Sequence, residues 1–501
     1  MRRCLSRLRP GDRADRVHLD VCPHGGRRPC GHRSGPGPFH GRDLPRRAAR
    51  DGGGRRRAVG PHRWRVRLRL HARPSCAAVP VSDTLRLTIR RLGRDGDGLA
   101  RRAGLVWSVP GTVPGDVVEA LPAGRDPGQA ESGTARARLL RVLRPSADRI
   151  APACPAADEC GGCDWLHVAP AVRLRAKAAS VREALGWSED APLEVFASPT
   201  ERFRRVARLA VGRDRAGPVL GYRHARAHRI ARLHGCPALE PEPDAALAAL
   251  AAAPRALGVW LAARAGELWL LSDEARGVHL APASGGAGRA ARGDRAVAAA
   301  LESLRAALPR GLDPGPRGPS IEAADGGPAL RVPAGGFVQA NRALAPELAR
   351  LACAWSGGSP ARVLELYAGS GHLTVALARV AAAVVAVESD AAAAAALAEN
   401  LDRRGARHVR VVCGDAARAA AEAEAGGVVV ADPPRAGLGR AAATLAARRP
   451  ARIVLVSCDL RALARDARAL RDGGYVARRA ALLDFFPATH HVEAVTLFEP
   501  A

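Results

Sequence analysis

The last fifty residues of the chain contain a cysteine and a glutamate suited to covalent catalysis. Cys458 ends the apolar run IVLVS and precedes the helical pattern LRALARDARAL, and Glu493 lies in HHVEAVTLF. Since a helix N-terminus stabilises a thiolate, we expect the thiol of Cys458 to have a lowered pKa and to act as a nucleophile. A carboxylate such as that of Glu493 is a general base. These residue types predict attack on a substrate followed by a proton transfer.

A glycine loop farther upstream predicts a cofactor site. In LELYAGSGHL, Gly369 and Gly371 lie where a strand turns into a helix, and glycine lets backbone N–H groups approach a ligand there. The next strand-like runs end at Glu388, Asp415 and Asp432. Because parallel strands end at the same edge of a sheet, these carboxylates predict one acidic crevice. Such a crevice suits the ribose and ammonium groups of S-adenosylmethionine, whereas a dinucleotide fold favours GxGxxG.

Strand-like and helical runs alternate from residue 361 onward. The strand-like runs are ARVLELYA, AVVAVESD, HVRVVCGD, GVVVADPP and RIVLVSCD. Helical runs separate them, which predicts an α/β domain with a doubly wound parallel sheet. The runs YVARRAALLDFFP and HVEAVTLFE predict a closing antiparallel hairpin.

Two further regions precede this domain. Residues 82–146 contain the short alternating runs LRLTIRRL, LVWSVPG, DVVEAL and ARARLLRVL, which are broken by the turns GRDGDGLA and PGTVPGD. This pattern predicts a small β-barrel of a kind that often binds single-stranded nucleic acid. Residues 147–335 read as mixed α and β, with strands at RLAVGR and VLGYRHARAHRIARL and a helix at PEPDAALAALAAAPRALG. The same region contains a hairpin at GELWLLSDEARGVHL and a mobile loop at GGAGRAARGD.

Four cysteines in the central region predict a metal site. Cys154, Cys160 and Cys163 have C-x5-C-x2-C spacing, and Cys236 is the candidate fourth ligand because, like Cys154, it precedes a proline. Four thiolates suit either a [4Fe–4S] cluster or Zn²⁺, and the spacing alone does not separate the two. The spacing differs from the C-x3-C-x2-C of radical enzymes, so we expect no radical chemistry.

The charge of the chain predicts a polyanionic partner. The net charge is +28, and Lys177 is the only lysine among 77 basic residues. This arginine bias is typical of a GC-rich coding sequence, but the positive sign still favours RNA as a partner. Residues 1–80 contain 21 arginines and 5 aspartates with little periodicity. We interpret residues 1–81 as a disordered RNA-binding arm or as a spurious extension from a mis-assigned start.

Other features of the sequence concern where the protein works. No apolar run is long enough to span a membrane, and the N-terminus does not have the pattern of a secretory signal. The eleven cysteines are unevenly spaced, which indicates a reducing compartment rather than a disulfide framework. We therefore expect a cytoplasmic protein without membrane contact, and a monomer.

Together these motifs resemble the RNA uracil-5-methyltransferase family, S-adenosylmethionine-dependent enzymes that act on tRNA or 23S rRNA. The resemblance covers about residues 82–501 and is closest to the iron–sulfur branch of bacterial 23S rRNA enzymes. VSCDL is similar to the nucleophile motif and DFFPATHHVEAVTLF to the base motif, which implies these roles for Cys458 and Glu493. The family usually continues with Asn/Asp-Pro after the cysteine, whereas this chain has Asp459-Leu460. The cluster ligands that the branch implies are Cys154, Cys160, Cys163 and Cys236, with zinc as the alternative metal.

The resemblance also implies an architecture and a set of cofactor contacts. It implies a class I (Rossmann-like) methyltransferase domain at 336–501, a central α+β domain with the Cys4 site at 147–335, and a TRAM-like RNA-binding barrel at 82–146. The implied cofactor-binding residues are Gln339 in GGFVQAN, Tyr367, Gly369, His372, Glu388, Asp415 and Asp432. His372 stands where the branch usually has asparagine.

The reaction implied by the family is the formation of 5-methyluridine in 23S rRNA. Cys458 adds to C6 of a flipped-out uracil, the methyl group passes to C5, and Glu493 removes the C5 proton. Asp432 would hold the pyrimidine or the cofactor amine. The alternatives are a tRNA 5-methyluridine methyltransferase of the same family, a cytosine-5 methyltransferase, and a non-catalytic RNA-binding iron–sulfur protein.

Overall fold

The computed structural model describes residues 84–123, 134–283, 295–315 and 318–501, together with the two-residue strand β1 (Asp20–Val21). Apart from β1, the predicted extension at residues 1–81 lies outside the described residues, and so does the predicted loop GGAGRAARGD.

The N-terminal part of the described chain forms a six-stranded sheet. Its strands are β2 (Leu85–Thr88), β3 (Arg91–Leu92), β4 (Gly98–Arg102), β5 (Leu105–Val109), β6 (Val117–Pro122) and β7 (Thr134–Arg144), in the spatial order β2-β6-β7-β5-β4-β3. Alternate residues such as Leu85 and Leu87 enter a shared core, as the alternating pattern predicts. β4 was expected to be part of a turn. It has a weak apolar signal because its buried positions are Gly98 and Ala100.

The central region forms a four-stranded antiparallel sheet covered by helices. Its elements are α1 (Pro170–Leu185), β8 (Glu194–Phe196), β9 (Val206–Asp214), β10 (Gly217–Gly221), α2 (Pro241–Ala251), α3 (Pro254–Ala262), β11 (Leu268–Ser272), β12 (Val278–Pro282), α4 (Arg295–Arg305), β13 (Ser320–Ile321) and β14 (Leu330–Arg331). The sheet has the order β10-β9-β11-β12, and α2, α3 and α4 pack their apolar residues onto it. The predicted strand VLGYRHARAHRIARL is shorter than expected, because its arginine-rich second half leaves the sheet after Gly221.

Residues 336–501 form most of a nine-stranded sheet. The elements are α5 (Ala345–Trp355), β15 (Val363–Leu366), α6 (Thr374–Leu377), β16 (Val384–Glu388), α7 (Ala391–Asp402), β17 (Val409–Cys413), α8 (Ala416–Ala419), β18 (Val428–Ala431), α9 (Arg440–Arg448), β19 (Arg452–Ser457), α10 (Leu460–Asp472), β20 (Tyr475–Leu483) and β21 (Glu493–Pro500). The strand order is β1-β17-β16-β15-β18-β19-β21-β20-β8. β15 to β19 are parallel, and β21 is antiparallel to both β19 and β20. The α/β prediction and the closing hairpin are confirmed.

Two elements of the central region belong spatially to the C-terminal sheet. β8 pairs in parallel with β20, and α1 packs against α10 in the same apolar core. In sequence, β8 and α1 therefore lie before the boundary predicted at residue 335, whereas in space they pack with the sheet that follows it.

No single helix in the described part of the chain is long and apolar enough to cross a membrane. α2 and α3 together reach the length and composition of a span, but they meet at 85°. Leu247, Leu250 and Trp260 of this pair are buried in the central core.

Candidate active site

The register between β19 and β21 brings the predicted nucleophile and base together. Ser457 pairs with Ala494, so the next position along each strand places Cys458 opposite Glu493. Both residues lie at the edge where the parallel strands end, because β21 runs in the opposite direction. The chain between them forms α10, β20 and a connecting loop. Strand register thus explains how residues far apart in sequence meet at one site.

The thiol of Cys458 does not have the lowered pKa that the sequence predicted. Burial, together with the negative charges of Glu493 and Asp432, raises the pKa of Cys458 to about 12. The side chain of Asp459 caps α10 by accepting hydrogen bonds from the backbone N–H groups of Arg461 and Ala462, each at 2.9 Å. The helix N-terminus therefore stabilises this carboxylate instead of a thiolate. The expected helix effect on the thiol is wrong for this structure.

Two carboxyl groups accompany the thiol. Glu493 is buried, and burial together with the charge of Asp432 raises its pKa well above the ordinary value. Burial raises the pKa of Asp432 to about 7, although Gln339 Nε2 donates a hydrogen bond to its Oδ2 at 3.1 Å. The charge of Arg435 acts in the other direction, lowering the pKa of both Cys458 and Glu493. The sequence prediction did not include Arg435, although it belongs to the ADPPR run.

The predicted cofactor loop is tightly wound at the end of β15. Tyr367, Gly369 and Gly371 have φ angles of 65°, 57° and 100°, in the left-handed region. The φ angle of Gly371 favours glycine, and a Cβ there would also lie 2.5 Å from Cδ1 of Leu397. The backbone N–H of Gly369 donates to Oε2 of Glu388 at 2.8 Å. This bond joins the loop to the end of β16.

The remaining predicted cofactor positions have partners of their own. Asp415 is exposed and caps α8. Burial raises the pKa of Tyr367, and the negative charge of Asp415 raises it further. Nε2 of His372 hydrogen-bonds the backbone oxygen of Ala345 at 2.8 Å, and burial lowers the pKa of this histidine. His372 shares a small cavity with Gln339. The predicted contacts are therefore grouped around the carboxyl ends of β15 to β18.

Glu365 is a site residue that the sequence reasoning missed. It lies within β15, is 2% exposed, and its Oε2 has no hydrogen-bond partner. Burial, with smaller contributions from Asp432 and Glu388, raises the pKa of Glu365 to about 8. A buried carboxyl beside other carboxylates is costly unless it is protonated or meets a cation. The signal was available in LELYAG, where a glutamate interrupts a buried apolar strand.

The four predicted metal ligands lie around one cavity. Cys154, Cys160, Cys163 and Cys236 all line it. Burial raises the pKa of Cys163 to about 12, with additional contributions from the other three thiols. A Cβ at Gly161 would lie 2.7 Å from the backbone nitrogen of Ala225, so glycine is needed for the close approach of the cysteine loop. Among the described residues, no group of three or more His, Cys, Asp or Glu side chains is arranged to hold a metal ion.

A partly buried arginine also lines the cysteine cavity. Arg204 lies over the ring of Phe486, with its guanidinium carbon 5.2 Å from the ring centroid, and its Nε has no hydrogen-bond partner. The positive charge of Arg204 acts to lower the pKa of Cys163 and of Cys236. The cavity thus combines four thiols with a cation that has an unused donor.

A polar cleft opens beside Cys458. Its walls include Arg94 and Asp95 from the β3–β4 turn, Arg435 and Arg461 from the C-terminal domain, and His490 and His491 from the loop before β21. Nη2 of Arg461 is 2.6 Å from Oδ1 of Asp95. The N-terminal sheet therefore contributes directly to the surface around the thiol.

The fold and this site define an α/β methyltransferase. A solved structure with a similar fold is that of the Pyrococcus abyssi tRNA (uracil-54, C5)-methyltransferase in complex with S-adenosyl-L-homocysteine. It has a TM-score of 0.59 and 21% sequence identity, over 83% of this chain and 100% of that chain.

Sequence comparisons identify the family. Residues 321–500 match the model of the tRNA (Uracil-5-)-methyltransferase family. A 23S rRNA (uracil(1939)-C(5))-methyltransferase RlmD from Aeromonas salmonicida is 32% identical over 83% of this chain and 96% of its own length. The RlmD of Pseudomonas fluorescens is 34% identical over 84% and 95%, and an uncharacterized RNA methyltransferase of Caulobacter vibrioides is 34% identical over 82% and 99%. This chain therefore belongs to the RNA uracil-5-methyltransferase family, as the motifs indicated.

The raised pKa values of Glu365 and Asp432 predict pH-dependent binding of the cationic cofactor. Ionised carboxylates attract the sulfonium of S-adenosylmethionine, so its affinity should rise about tenfold between roughly pH 6 and pH 8.5. Isothermal titration calorimetry measures this change. Glu365→Gln should flatten the upper part of the profile, and S-adenosylhomocysteine, without the sulfonium charge, should show a weaker pH dependence. Equal profiles for both ligands would contradict the prediction.

The same shifts predict the pH dependence of stability. Both carboxyl groups have folded-state pKa values above their unfolded values, so the folded state binds protons more tightly. Their contribution to stability is therefore largest at low pH and is lost as the pH rises through about 7 and 8. Thermal unfolding without ligand should show that Glu365→Gln raises the melting temperature at high pH relative to wild type. The same variant should have a smaller effect near pH 5.

Proposed function

We propose that this protein forms 5-methyluridine in 23S rRNA with S-adenosylmethionine as the methyl donor. The placement of Cys458 opposite Glu493, at the carboxyl edge of a methyltransferase sheet, is the observation that carries the proposal. The choice of 23S rRNA rests on the relatives named for that activity, which align over more than four-fifths of this chain. A tRNA substrate is the second candidate, because the protein of similar fold is named for tRNA.

In the proposed mechanism, Cys458 makes C5 of uracil nucleophilic. Sulfur adds to C6, and the electrons of the C5–C6 double bond move toward the C4 carbonyl, so that C5 acquires electron density. S-adenosylmethionine supplies an electrophilic methyl group to that carbon. The C5 proton then leaves, the C5–C6 double bond reforms, and the bond between Cys458 and C6 breaks.

Asp432 and Glu493 accept the protons that are released in the proposed mechanism. The thiol must lose a proton to attack, and Asp432 and Glu493 are the carboxylates whose charges raise its pKa. One of them accepts the thiol proton, and Glu493 as its carboxylate accepts the C5 proton. On elimination the sulfur regains one proton, which leaves one proton released in each turnover. The cationic methyl donor favours the ionised carboxylates that this sequence requires.

The cofactor positions follow from the strand ends. Glu388, at the end of β16, suits the ribose hydroxyls, and the wound loop at Gly369 presents backbone donors beside it. Glu365 and Asp432 offer negative charge to the sulfonium and ammonium groups. We propose that Gln339 contributes by holding Asp432 in place, as well as through a contact of its own.

The polar cleft beside Cys458 is the proposed entry for the target nucleotide. Arginines from the N-terminal sheet and from the C-terminal domain line it, which suits phosphate groups on either side of a flipped base. We propose that residues 82–146 act as a TRAM-like RNA-binding module, residues 147–335 as the cluster-bearing domain and residues 336–501 as the methyltransferase domain. For residues 1–81 we keep the two interpretations given by the sequence.

The cysteine cavity is the proposed site of a [4Fe–4S] cluster. Four thiols around one cavity suit either candidate metal, but ligands of a tetrahedral zinc ion lie only about 3.8 Å apart, given Zn–S bonds of about 2.3 Å. A four-iron cluster has one thiolate at each iron and separates them farther. The resemblance of the cysteine motif to the iron–sulfur branch of the family favours the cluster. Arg204 offers a positive charge and a free Nε donor to such an anionic group.

The proposed mechanism predicts different defects for its two central residues. Cys458→Ala should form no 5-methyluridine in unmodified 23S rRNA, measured by nucleoside mass spectrometry. In Glu493→Gln, Cys458 should still bond to C6 and the uracil should still accept the methyl group. Product release should be slower by a factor of about 100 or more, because no base removes the C5 proton. A stable protein–RNA adduct on a denaturing gel should therefore accumulate for Glu493→Gln.

Cys353→Ala, in α5, is the matched cysteine control and should retain wild-type activity. Methylation by Cys458→Ala at the wild-type rate would rule out the covalent mechanism. Product on tRNA but not on 23S rRNA would support the second candidate substrate, and binding of RNA without product would indicate a non-catalytic protein.

The proposed cluster predicts the metal content of the isolated protein. Protein purified without oxygen should be brown and contain about four irons per chain. Cys160→Ala should lose this iron, whereas Cys413→Ala, a cysteine outside the cavity, should retain it. One zinc per chain in colourless protein would show that the site is a zinc site instead.

A further inference from the structure

The loop that precedes Glu493 is buried without regular secondary structure. Residues 484–492, here called the catalytic loop, connect β20 to β21. Asp484, Phe485, Ala488 and Thr489 are each no more than 5% exposed. A buried irregular segment needs partners for its backbone groups from outside the segment. Those partners determine where the loop, and hence the start of β21, is held.

Helix α1 supplies the first set of partners. Nζ of Lys177 donates to Oδ1 of Asp484 at 2.6 Å and to the backbone oxygen of Phe486 at 2.8 Å. Arg173, one turn earlier on α1, has Nη1 3.5 Å from the backbone oxygen of Pro487. The first half of the catalytic loop is therefore held by two cations of one helix.

The segment after Cys163 supplies the second set. The backbone N–H of Trp165 donates to the oxygen of Ala488 at 3.0 Å. Asp164 accepts two hydrogen bonds from His490, one from its backbone N–H at 3.0 Å and one from its ring Nδ1. Thus the residue next to a proposed cluster ligand is bonded to the residue three positions before Glu493.

The cysteine cavity itself also contacts the catalytic loop. Phe486 and Thr489 form part of its wall, and Arg204 lies over the ring of Phe486. The side chain of Asp164 is further enclosed by the N-terminal sheet, since a Cβ at Gly96 would lie 2.3 Å from its Oδ2. Three regions of the chain therefore converge on the loop at Asp164 and His490.

Lys177 is distinctive in both sequence and structure. It is the only lysine among 77 basic residues, so arginine serves at the other 76 positions. Its side chain is fully buried, and one ammonium group satisfies two oxygen acceptors. A guanidinium is larger and planar, with five donors in a fixed fork. The enclosed site therefore suits an ammonium group and leaves three donors of an arginine without partners.

We propose that Lys177 and Asp164 are positioning residues that hold the catalytic loop, so that the cysteine-bearing segment and α1 fix where Glu493 faces the target uracil. This inference rests on the proposed function for its catalytic consequence, but the restraint on the loop is a separate physical property. Neither residue touches the thiol site directly. Their effect passes through Asp484 and His490 to the strand that begins at Glu493.

The test compares Lys177→Arg and Asp164→Ala with a control on the same helix. Arg175 is exposed on α1. Arg175→Lys therefore exchanges arginine for lysine on the same helix at a position that is not enclosed. All variants are purified as full-length, iron-containing protein without oxygen. Hydrogen exchange of the peptides covering residues 484–493 reports loop restraint, and calorimetry with S-adenosylhomocysteine reports the integrity of the cofactor site.

Both positioning variants should exchange the amides of residues 484–493 about tenfold faster or more, while peptides of β15 to β18 keep wild-type exchange. Their kcat should fall about tenfold or more, because small displacements of a catalytic group are costly, with affinity for S-adenosylhomocysteine within about twofold of wild type. Asp164→Asn, which keeps an acceptor for the backbone N–H of His490, should restore part of the protection. The control should match wild type in all three measurements.

Wild-type exchange of the catalytic loop in both positioning variants would overturn the proposal, and so would unchanged kcat in both. If Lys177→Arg fails to fold, Asp164→Ala, at a partly exposed side chain, still decides the matter. If wild-type protein forms no 5-methyluridine, the proposed function fails, whereas the exchange measurement still tests the restraint on the loop.

Discussion

Buried carboxyl groups at one edge of the sheet control the pKa values of the site residues. Glu365, Asp432 and Glu493 all have raised pKa values, because burial disfavours their charged forms and their charges repel one another. Burial, together with the charges of Glu493 and Asp432, also raises the pKa of the Cys458 thiol. Such an arrangement is costly for an empty protein and favourable once a cation enters it. In the proposed mechanism, binding of the cationic methyl donor therefore activates the site.

The register of the strands positions the thiol and the carboxyl groups relative to one another. The antiparallel pairing of β21 with β19 places Glu493, the proposed base, opposite Cys458, the proposed nucleophile, and the loop before β21 connects that pair to distant parts of the chain. Asp484 and His490 are bonded to Lys177 and Asp164, which follow Cys163 in sequence. The segment after Cys163 and the loop before β21 are consequently neighbours, although Asp164 and His490 are 326 positions apart along the chain.

The extent to which the sequence predicted this structure depends on how local each signal was. The five parallel strands and the closing hairpin were predictable, because continuous apolar runs such as IVLVS alternate with helical patterns. The identity of the site residues Cys458 and Glu493 came from motif resemblance. β4 was missed because a strand whose buried positions are Gly98 and Ala100 has little apolar signal.

Other features depended on contacts between distant segments, which periodicity does not encode. The sequence placed Cys458 before a helix, but the competing cap by Asp459 and the nearby carboxylates reversed the expected pKa shift. The addition of β8 to the C-terminal sheet and the bond between Asp164 and His490 likewise have no local pattern. Glu365 did have a local signal, because it is a charged residue within a buried strand. Its place in the site became recognisable only from its proximity to Asp432 and Glu388.

A measurement of the pKa of Cys458 tests most directly whether the thiol stays unreactive until the carboxylate-rich site receives a cation. Alkylation by iodoacetamide, followed at the Cys458 peptide by mass spectrometry between about pH 6 and pH 11, reports the thiolate fraction. We expect the free protein to react slowly up to about pH 9, and the alkylation profile to shift by about one pH unit or more to lower pH when S-adenosylmethionine is bound. An apparent pKa for free Cys458 at or below the ordinary thiol value of about 8.5, unchanged by the cofactor, would contradict it.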